Sequence, residues 1–396
     1  MQPWILKTLF FAILVGSIME ILELSGAIGS FVSYLTHKRS IITSPRSALI
    51  LSYMIGVLIF IESSITSLIA GAVGKPLCDR EGVSRAKLAF VCDSTSAPIS
   101  SLILFNGWGA LLLGLITTQI NGGVLEGESV SILVHAVVYN FYSLSALVVT
   151  FVVIYFGLYT KGMQKSQIHK VQFSMPTTSE GNIWEMLLPI LFLVLSVFVY
   201  MYITGSGEIL KGSGSSSIFY TTLTTMIFML IFYVGRKKMS LKEYFNASFT
   251  GAKKLLPIAF ILLFAFGIGE VTSELKTGIY LASFANQNLS VVLLGGVIFI
   301  LSSIISFSTG TSWGTFSIMI PIAVPMAVGM DANIALVIGA VISGGVFGDH
   351  CSPISDTTII SSLASGCDVV EHVKTQLPYA LISAAIALVL FLVFSL

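Results

Sequence analysis

The sequence predicts an all-α protein that crosses a membrane many times and contains two inverted repeats with broken or re-entrant helices. Hydrophobic residues make up 55% of the chain and charged residues only 10%, against roughly a quarter in an average soluble domain. Apolar runs long enough to cross about 30 Å of hydrocarbon recur from end to end. Polar segments that contain proline or glycine interrupt several of these runs. Lipid is therefore the expected surroundings of most of the chain.

We interpret the first apolar run, Trp4–Leu35, as a retained helix. It is too long for the core of a signal peptide, and Glu20 and Glu23 stand where a cleavage region should be small and neutral. The formal net charge of +1 argues against a nucleic-acid partner, which needs a basic surface field.

No resident cofactor and no catalytic motif is expected. Cys78, Cys92, Cys351 and Cys367 are scattered, without a CxxC pair or a histidine at metal-ligand spacing, so neither a zinc site nor a disulfide framework is indicated. The sequence also lacks an HExxH motif and a GxSxG elbow, which disfavours an enzyme.

Basic loops predict the topology. The positive-inside rule places the four basic loops in the cytoplasm: His37–Arg46, Lys75–Lys87, Lys161–Lys170 and Arg236–Lys254. Between Arg46 and Arg236 we count five apolar segments, and an odd number cannot return the chain to the same side. One segment must therefore enter the membrane and leave it on the same, cytoplasmic side. We expect this re-entrant segment to be 46–73, because a basic loop follows it directly. The five segments are 46–73, 92–118, 129–158, 183–204 and 217–234.

Three pairs of similar strings, in the same order, indicate a long internal repeat. They are Glu23–Leu35 with Glu274–Leu281, Phe60–Thr66 with Phe307–Trp313, and Cys92–Ser101 with Gly348–Thr357. The opening helix of the first repeat ends at a cytoplasmic loop, whereas its counterpart begins at one, so the repeats are inverted. This architecture is frequent in secondary transporters, with the site at the repeat interface.

The predicted organisation is a first repeat over 1–160, a two-helix connector within 161–250 and a second repeat over 251–396. It contains about eight full spans and two re-entrant elements, 46–73 and roughly 289–328.

The polar breaks are the candidate site. Irregular backbone at membrane depth is tolerated only where it is buried in protein or lines a watery cavity. We expect Pro98 and Pro353 to break their helices, because each proline removes a backbone donor. Gly310 is expected to break its helix as well. Freed carbonyls and nearby hydroxyls suit Na⁺, a hard cation that prefers oxygen ligands. The predicted hydroxyl ligands are Ser94, Thr95, Ser96, Thr309, Thr311, Ser312, Ser352, Ser355 and Thr357.

Four carboxylates complete the predicted site: Glu62, Asp93, Asp349 and Asp356. The three aspartates are expected to bind Na⁺, or H⁺ in competition with it. An acidic residue at the membrane centre costs about 2.5–3.5 kcal/mol on insertion scales, so each must face a cavity, pair or be protonated. Because few basic residues lie nearby in the sequence, pairing is the weaker expectation.

Structural roles are the alternatives for several of these residues. Asp93 precedes Ser and Thr and could be a helix N-cap. Glu20 and Glu23 could lie near helix ends or affect helix packing. His350 could relay protons, although a lone histidine is more often structural.

The strings 307–323, 348–362 and 87–100 resemble the NhaC family of Na⁺/H⁺ antiporters, and the similarity extends over nearly the whole chain. Family members often carry an acidic pair at the first break, where this chain has Glu62 followed by Ser63. They also usually have extra helices before the first repeat, so we expect either a compact variant or a truncated N-terminus. Relatives of the family also move malate and lactate, or amino acids.

The resemblance implies a transporter of the bacterial cytoplasmic membrane that is coupled to Na⁺ or H⁺. Na⁺/H⁺ antiport by alternating access is the leading expectation, and coupled transport of a small organic solute is the alternative. A channel is disfavoured because the breaks belong to an inverted-repeat scaffold. The expected partners are lipid, a small cation and the proton, with a homodimer as a possible assembly.

Overall fold

A computed structural model describes residues 3–27, 30, 44–60, 63–104, 106–166, 182–209, 213–254 and 289–396, together with a few residues between 255 and 288. In this part of the chain the secondary structure is entirely helical. The helices are α1 (Pro3–Leu24), α2 (Pro45–Leu58), α3 (Ser63–Arg80), α4 (Arg85–Leu102), α5 (Gly107–Asn121), α6 (Ser129–Val138), α7 (Phe141–Phe156), α8 (Lys161–Lys165), α9 (Trp184–Thr204), α10 (Gly214–Gly235), α11 (Leu241–Lys254), α12 (Val291–Thr309), α13 (Ser312–Gly329), α14 (Ile334–Cys351), α15 (Asp356–Ser365) and α16 (Val369–Phe394).

The predicted all-α, multi-span fold class is confirmed. Five of the described helices are long and apolar enough to cross a membrane: α9, α12, α13, α14 and α16. Two bent pairs raise the number to seven if each pair counts as one span. The pair α4 and α5 bends by 40°, and the pair α6 and α7 bends by 41°. The predicted segments 92–118 and 129–158 are therefore bent rather than straight. The total of about eight spans stays a prediction.

Helix–break–helix elements occur in both halves of the chain. The predicted element 46–73 consists of α2 and α3, which pack against each other on either side of the break after Leu58. The second predicted element, 289–328, consists of α12 and α13, joined at Gly310 and Thr311. Both α12 and α13 are long enough to span the membrane by themselves.

The prediction that Pro98 opens its helix is wrong, because α4 continues through Pro98 to Leu102. One proline removes a single backbone donor, and membrane helices tolerate this loss where neighbouring groups take up the freed carbonyl. The chain instead leaves helical geometry after Leu102 and resumes it at Gly107, where Asn106 caps α5. Pro353, in contrast, lies between α14 and α15.

Glycines allow α12 and α14 to pack closely. A Cβ added at Gly344 would lie 2.4 Å from the carbonyl oxygen of Phe299, and one at Gly348 would lie 2.4 Å from that of Ser303. Small residues four positions apart let membrane helices bring their backbones together. This contact fixes the last turn of α14, which carries Asp349.

Helix α1 is held by the connector and the helix that follows it. Helices α10 and α11 both pack on α1, and Lys254 Nζ of α11 lies 2.5 Å from Glu20 Oε2 of α1. A similar pair joins Lys238 to the buried Glu185, at 2.8 Å. Glu20 is therefore paired with a residue more than two hundred positions away in the sequence, which no local pattern indicates. The inverted relation of the two repeats stays a prediction.

Candidate functional site

The candidate site surrounds Asp93, whose side chain is completely buried near the middle of α4. Its Oδ2 lies 3.1 Å from Nε2 of His372 and accepts a hydrogen bond of 2.8 Å from Nε2 of Gln376. Both partners belong to α16 and are themselves buried. A buried carboxylate is tolerated only when it is paired and hydrogen-bonded. His372 and Gln376 of α16 provide these partners for Asp93. This position in the helix also excludes the N-cap alternative for Asp93.

Hydroxyl groups from α15 connect Asp93 with Asp349. Thr358 Oγ1 lies 3.3 Å from Asp93 Oδ2 and 3.4 Å from the backbone carbonyl of Asp349. Ser361 donates to Asp93 Oδ1 at 3.4 Å. Gln376 also donates to the backbone carbonyl of His350, at 2.5 Å. Asp93 and Asp349, which stand at matching positions of the third pair of strings, are thus bridged by the side chain of Thr358.

Asp349 has a different set of partners from Asp93. Its Oδ2 accepts a hydrogen bond of 2.5 Å from Ser312, at the start of α13, and its Oδ1 accepts one from Ser355, the N-cap residue of α15. The two hydroxyls therefore come from the two breaks of the second half. Asp349 itself is 2% exposed.

In each half a residue of the later break donates a hydrogen bond to a phenylalanine carbonyl near the earlier break. Asn106, in the break between α4 and α5, donates to the carbonyl of Phe60 at 3.0 Å. Ser352, in the break between α14 and α15, donates to the carbonyl of Phe307 at 2.9 Å. Phe60 and Phe307 are the matching first residues of the second pair of repeated strings. The donors Asn106 and Ser352 do not stand at matching positions of the third pair of strings, so the repeat stays a prediction.

Several predicted ligands bond within their own helices. Thr95 donates to the carbonyl of Val91 and Ser96 to that of Asp93, both in α4. Thr309 is exposed and donates to the carbonyl of Ile305, while Thr311 accepts a bond from the amide of Gly314 as the N-cap of α13.

The remaining predicted residues lie at the edge of the site or beyond the described residues. Asp356 begins α15 with an exposed side chain. The hydroxyl of Thr357 lies 3.0 Å from that of Ser355. Glu62 falls outside the described residues.

Three side chains of the site were not predicted from the sequence: His372, Gln376 and Tyr142. The spacing of four positions between His372 and Gln376 places them on one face of α16. Tyr142 Oη lies 2.6 Å from Nδ1 of His350. The other ring nitrogen of His350, Nε2, lies 3.1 Å from Ser94 Oγ and 4.0 Å from Oδ2 of Asp93. His350 is therefore part of the buried network.

The three predicted Na⁺ carboxylates do not form one cluster of ligands. In the described part of the chain, no group of three or more His, Cys, Asp or Glu side chains is arranged to hold a metal ion. The arrangement around Asp349 instead brings together one buried carboxylate and two hydroxyls, the oxygen ligands that hard cations prefer.

Comparison with known proteins identifies the family. Residues 102–396 match the Na⁺/H⁺ antiporter family. The chain belongs to this family. An uncharacterized protein of Haemophilus influenzae is 32% identical over 95% of this chain and 76% of its own length. The malate-2H⁺/Na⁺-lactate antiporter of Bacillus subtilis is 38% identical over 24% of this chain and 20% of its own length.

The fold has a counterpart among solved structures. The crystal structure of the YdaH transporter of Alcanivorax borkumensis superposes with a TM-score of 0.64 at 14% identity, over 98% of this chain and 84% of that one. The family and the several membrane-spanning helices make this chain a multi-pass secondary transporter rather than an enzyme.

Proposed function

We propose that this chain exchanges Na⁺ for H⁺ across the bacterial cytoplasmic membrane by alternating access. The observation that carries the proposal is the environment of Asp349, a buried carboxylate with hydroxyl partners from two helix breaks. Such a carboxylate can hold one positive charge at a time, either as a bound proton or as a bound cation.

The hydroxyls of Ser312 and Ser355 allow both states. A hydroxyl has one donor hydrogen and two acceptor lone pairs. In this structure both hydroxyls donate to the oxygens of Asp349. When the carboxyl is protonated, one hydroxyl can turn to accept the carboxyl proton while the other still donates. When Na⁺ enters, each hydroxyl can rotate and offer a lone pair to the ion beside the carboxylate. Na⁺ and H⁺ then compete for one site, which is the minimum that antiport requires.

Asp93 has a supporting role in this proposal. Gln376 presents an N–H group to it, and an N–H group donates hydrogen bonds but cannot ligate a cation. Thr358, which reaches both Asp93 and the backbone of Asp349, links the supporting carboxylate to the exchanging one. Asp93 therefore holds α4, α15 and α16 together around Asp349.

Transport of an organic solute is the competing function for the test. One partial relative is named a malate-2H⁺/Na⁺-lactate antiporter and another an arginine/ornithine antiporter. Purified protein in vesicles with a pH gradient separates the two functions. Na⁺, Li⁺ and K⁺ are added separately, without organic solute. At least the addition of Na⁺ should collapse the pH gradient. If no cation acts and labelled amino acid or carboxylate accumulates instead, Na⁺/H⁺ exchange is excluded.

The Asp349→Asn variant should abolish the Na⁺-dependent collapse, because an amide cannot carry the proton or the charge. Asp331→Asn is the matched control. Asp331 is exposed in the turn before α14 with a φ of 54°, a conformation that asparagine adopts readily. Equal activity of the two variants would remove Asp349 from the exchange site.

A further inference from the structure

A cavity lies away from the aspartates, at the ends of three helices. Its volume is about 580 Å³, within the range of small-ligand pockets. The lining includes Ser44, which caps the start of α2, the turn Gly82–Val83 before α4, and Gly157, which ends α7. Helix ends mark the boundary of the apolar layer, and the basic loops place this boundary on the cytoplasmic side.

Two cations line this cavity without a carboxylate partner among the residues that the structure describes. Arg46 and Lys87 both contribute to its wall. In the described part of the chain neither forms an ion pair, since the nearby acids Asp79 and Glu81 pair with Arg85 and Arg80. Arg46 and Lys87 instead lie over aromatic rings, at 5.4 Å from the centroid of Tyr155 and 4.3 Å from that of Tyr159. These contacts orient the cations but do not neutralise their charge.

An exposed apolar face leads to the mouth of the cavity. Along α7, Val148, Phe151 and Tyr155 recur at helical spacing and are 61%, 40% and 46% exposed. In a membrane this face contacts acyl chains. A molecule whose chains lie along α7 would therefore have its polar end next to Arg46 and Lys87.

We propose that this cavity binds the phosphate headgroup of an anionic phospholipid from the cytoplasmic leaflet. Two uncompensated cations select a phosphate group, and the position at the lipid boundary selects a lipid as its source. Juxtamembrane Lys and Arg attract anionic lipid with an affinity gain of roughly fivefold per residue, so the pair contributes roughly 25-fold. This site is independent of the exchange at Asp349.

Lipid binding to the full-length protein tests the proposal. Native mass spectrometry would follow titration with phosphatidylglycerol and, separately, with zwitterionic phosphatidylcholine. Wild type should retain phosphatidylglycerol preferentially, and the double variant Arg46→Gln with Lys87→Gln should bind it roughly 25-fold more weakly. Arg236→Gln is the matched control, because Arg236 lies 4.5 Å from the ring of Phe232 and is not part of the cavity lining.

The charge-conserving double variant, Arg46→Lys with Lys87→Arg, guards against a loss of folding and should keep most of the affinity. Equal retention of both lipids by wild type would overturn the proposal, as would wild-type affinity in the double glutamine variant. Displacement of the lipid by millimolar inorganic phosphate would assign the cavity to a soluble anion and overturn the lipid source.

Discussion

Gln376 touches both aspartate-bearing segments with one amide group. Its Nε2 donates to the side chain of Asp93 and to the backbone carbonyl next to Asp349, that of His350. Gln376 is completely buried, so water cannot replace its hydrogen bonds. The loss of a donor in such a place leaves a buried acceptor without its partner, which costs about 1–3 kcal/mol.

Substitution of Gln376 by methionine should therefore lower the unfolding free energy by about 1–3 kcal/mol and reduce transport, because methionine has similar size but no N–H donor. Thermal unfolding in detergent and the vesicle assay measure the two effects. Gln164→Met is the control, since Gln164 donates to the carbonyl of Tyr159 at 2.7 Å but is exposed. Equal unfolding temperatures for the two variants would contradict the role of burial.

At the residue scale, the sequence could predict the carboxylates but only part of their surroundings. Asp93 and Asp349 were recognisable because each interrupts an apolar stretch beside a repeated string. His372 and Gln376 lie at the start of the last apolar run, where polar residues are common for other reasons. Only the packing of α16 against α4 shows that they face Asp93.

At the scale of elements, the same limit applies to the breaks. The turn at Gly310 was predictable because a glycine lies there within a run of hydroxyl-bearing residues. The structure gives Gly310 a φ of 67°, which glycine adopts without strain. The break after α4 was placed at Pro98, whereas the helix ends at Leu102. The position of this break depends on Asn106, which caps α5. Asn106 also donates a hydrogen bond to the backbone carbonyl of Phe60, which follows α2. A contact between distant segments cannot be recognised from local composition.

Alanine variants of Gly310 and Gly157 can distinguish the effect of backbone strain from the effect of a steric contact at the break. Both have a left-handed φ, at 67° and 70°. A Cβ at Gly310 would lie 2.7 Å from Cγ1 and 3.0 Å from the carbonyl oxygen of Ile354, in the break between α14 and α15, whereas a Cβ at Gly157 meets no atom within 4 Å. Alanine at either position should cost about 1–2 kcal/mol of backbone strain.

We expect the Gly310→Ala variant to lose transport as well, because Ile354 must shift and Ser355, the partner of Asp349, is next to it. Gly157→Ala should retain transport at a temperature where both variants stay folded. Unfolding curves and the vesicle assay provide the comparison. Equal transport by the two alanine variants would show that the contact with Ile354 is not required.

At the scale of the whole molecule, α3 of the first predicted repeat packs closely against α15 of the second. A Cβ at Gly71 of α3 would lie 2.6 Å from the Cβ of Ala364 in α15, so the two backbones are close. Ser361 of α15 reaches both Ser67 of α3 and Asp93 of α4. The proposed alternating access moves the two repeats relative to each other, so we expect this contact to change during each cycle.

A reversible cross-link tests whether the halves move. The hydroxyls of Ser67 and Ser361 are 2.9 Å apart, as are those of Thr204 and Ser217, which join α9 and α10 of the connector. Cysteine pairs at these positions, in a background without the four native cysteines, place two sulfur atoms at equivalent separations. Oxidation of the pair at 67 and 361 should stop transport by the folded protein, and reduction should restore it.

The connector pair at 204 and 217 is the control, since both of its helices lie within one packed unit and should tolerate a permanent bond. Each variant is compared with its own reduced form, which cancels the effect of replacing Ser361 beside Asp93. Mobility on non-reducing gels confirms that each bond has formed. Full transport with the bond between 67 and 361 closed would mean that α3 and α15 move as one body, and the moving boundary would then have to lie elsewhere in the molecule.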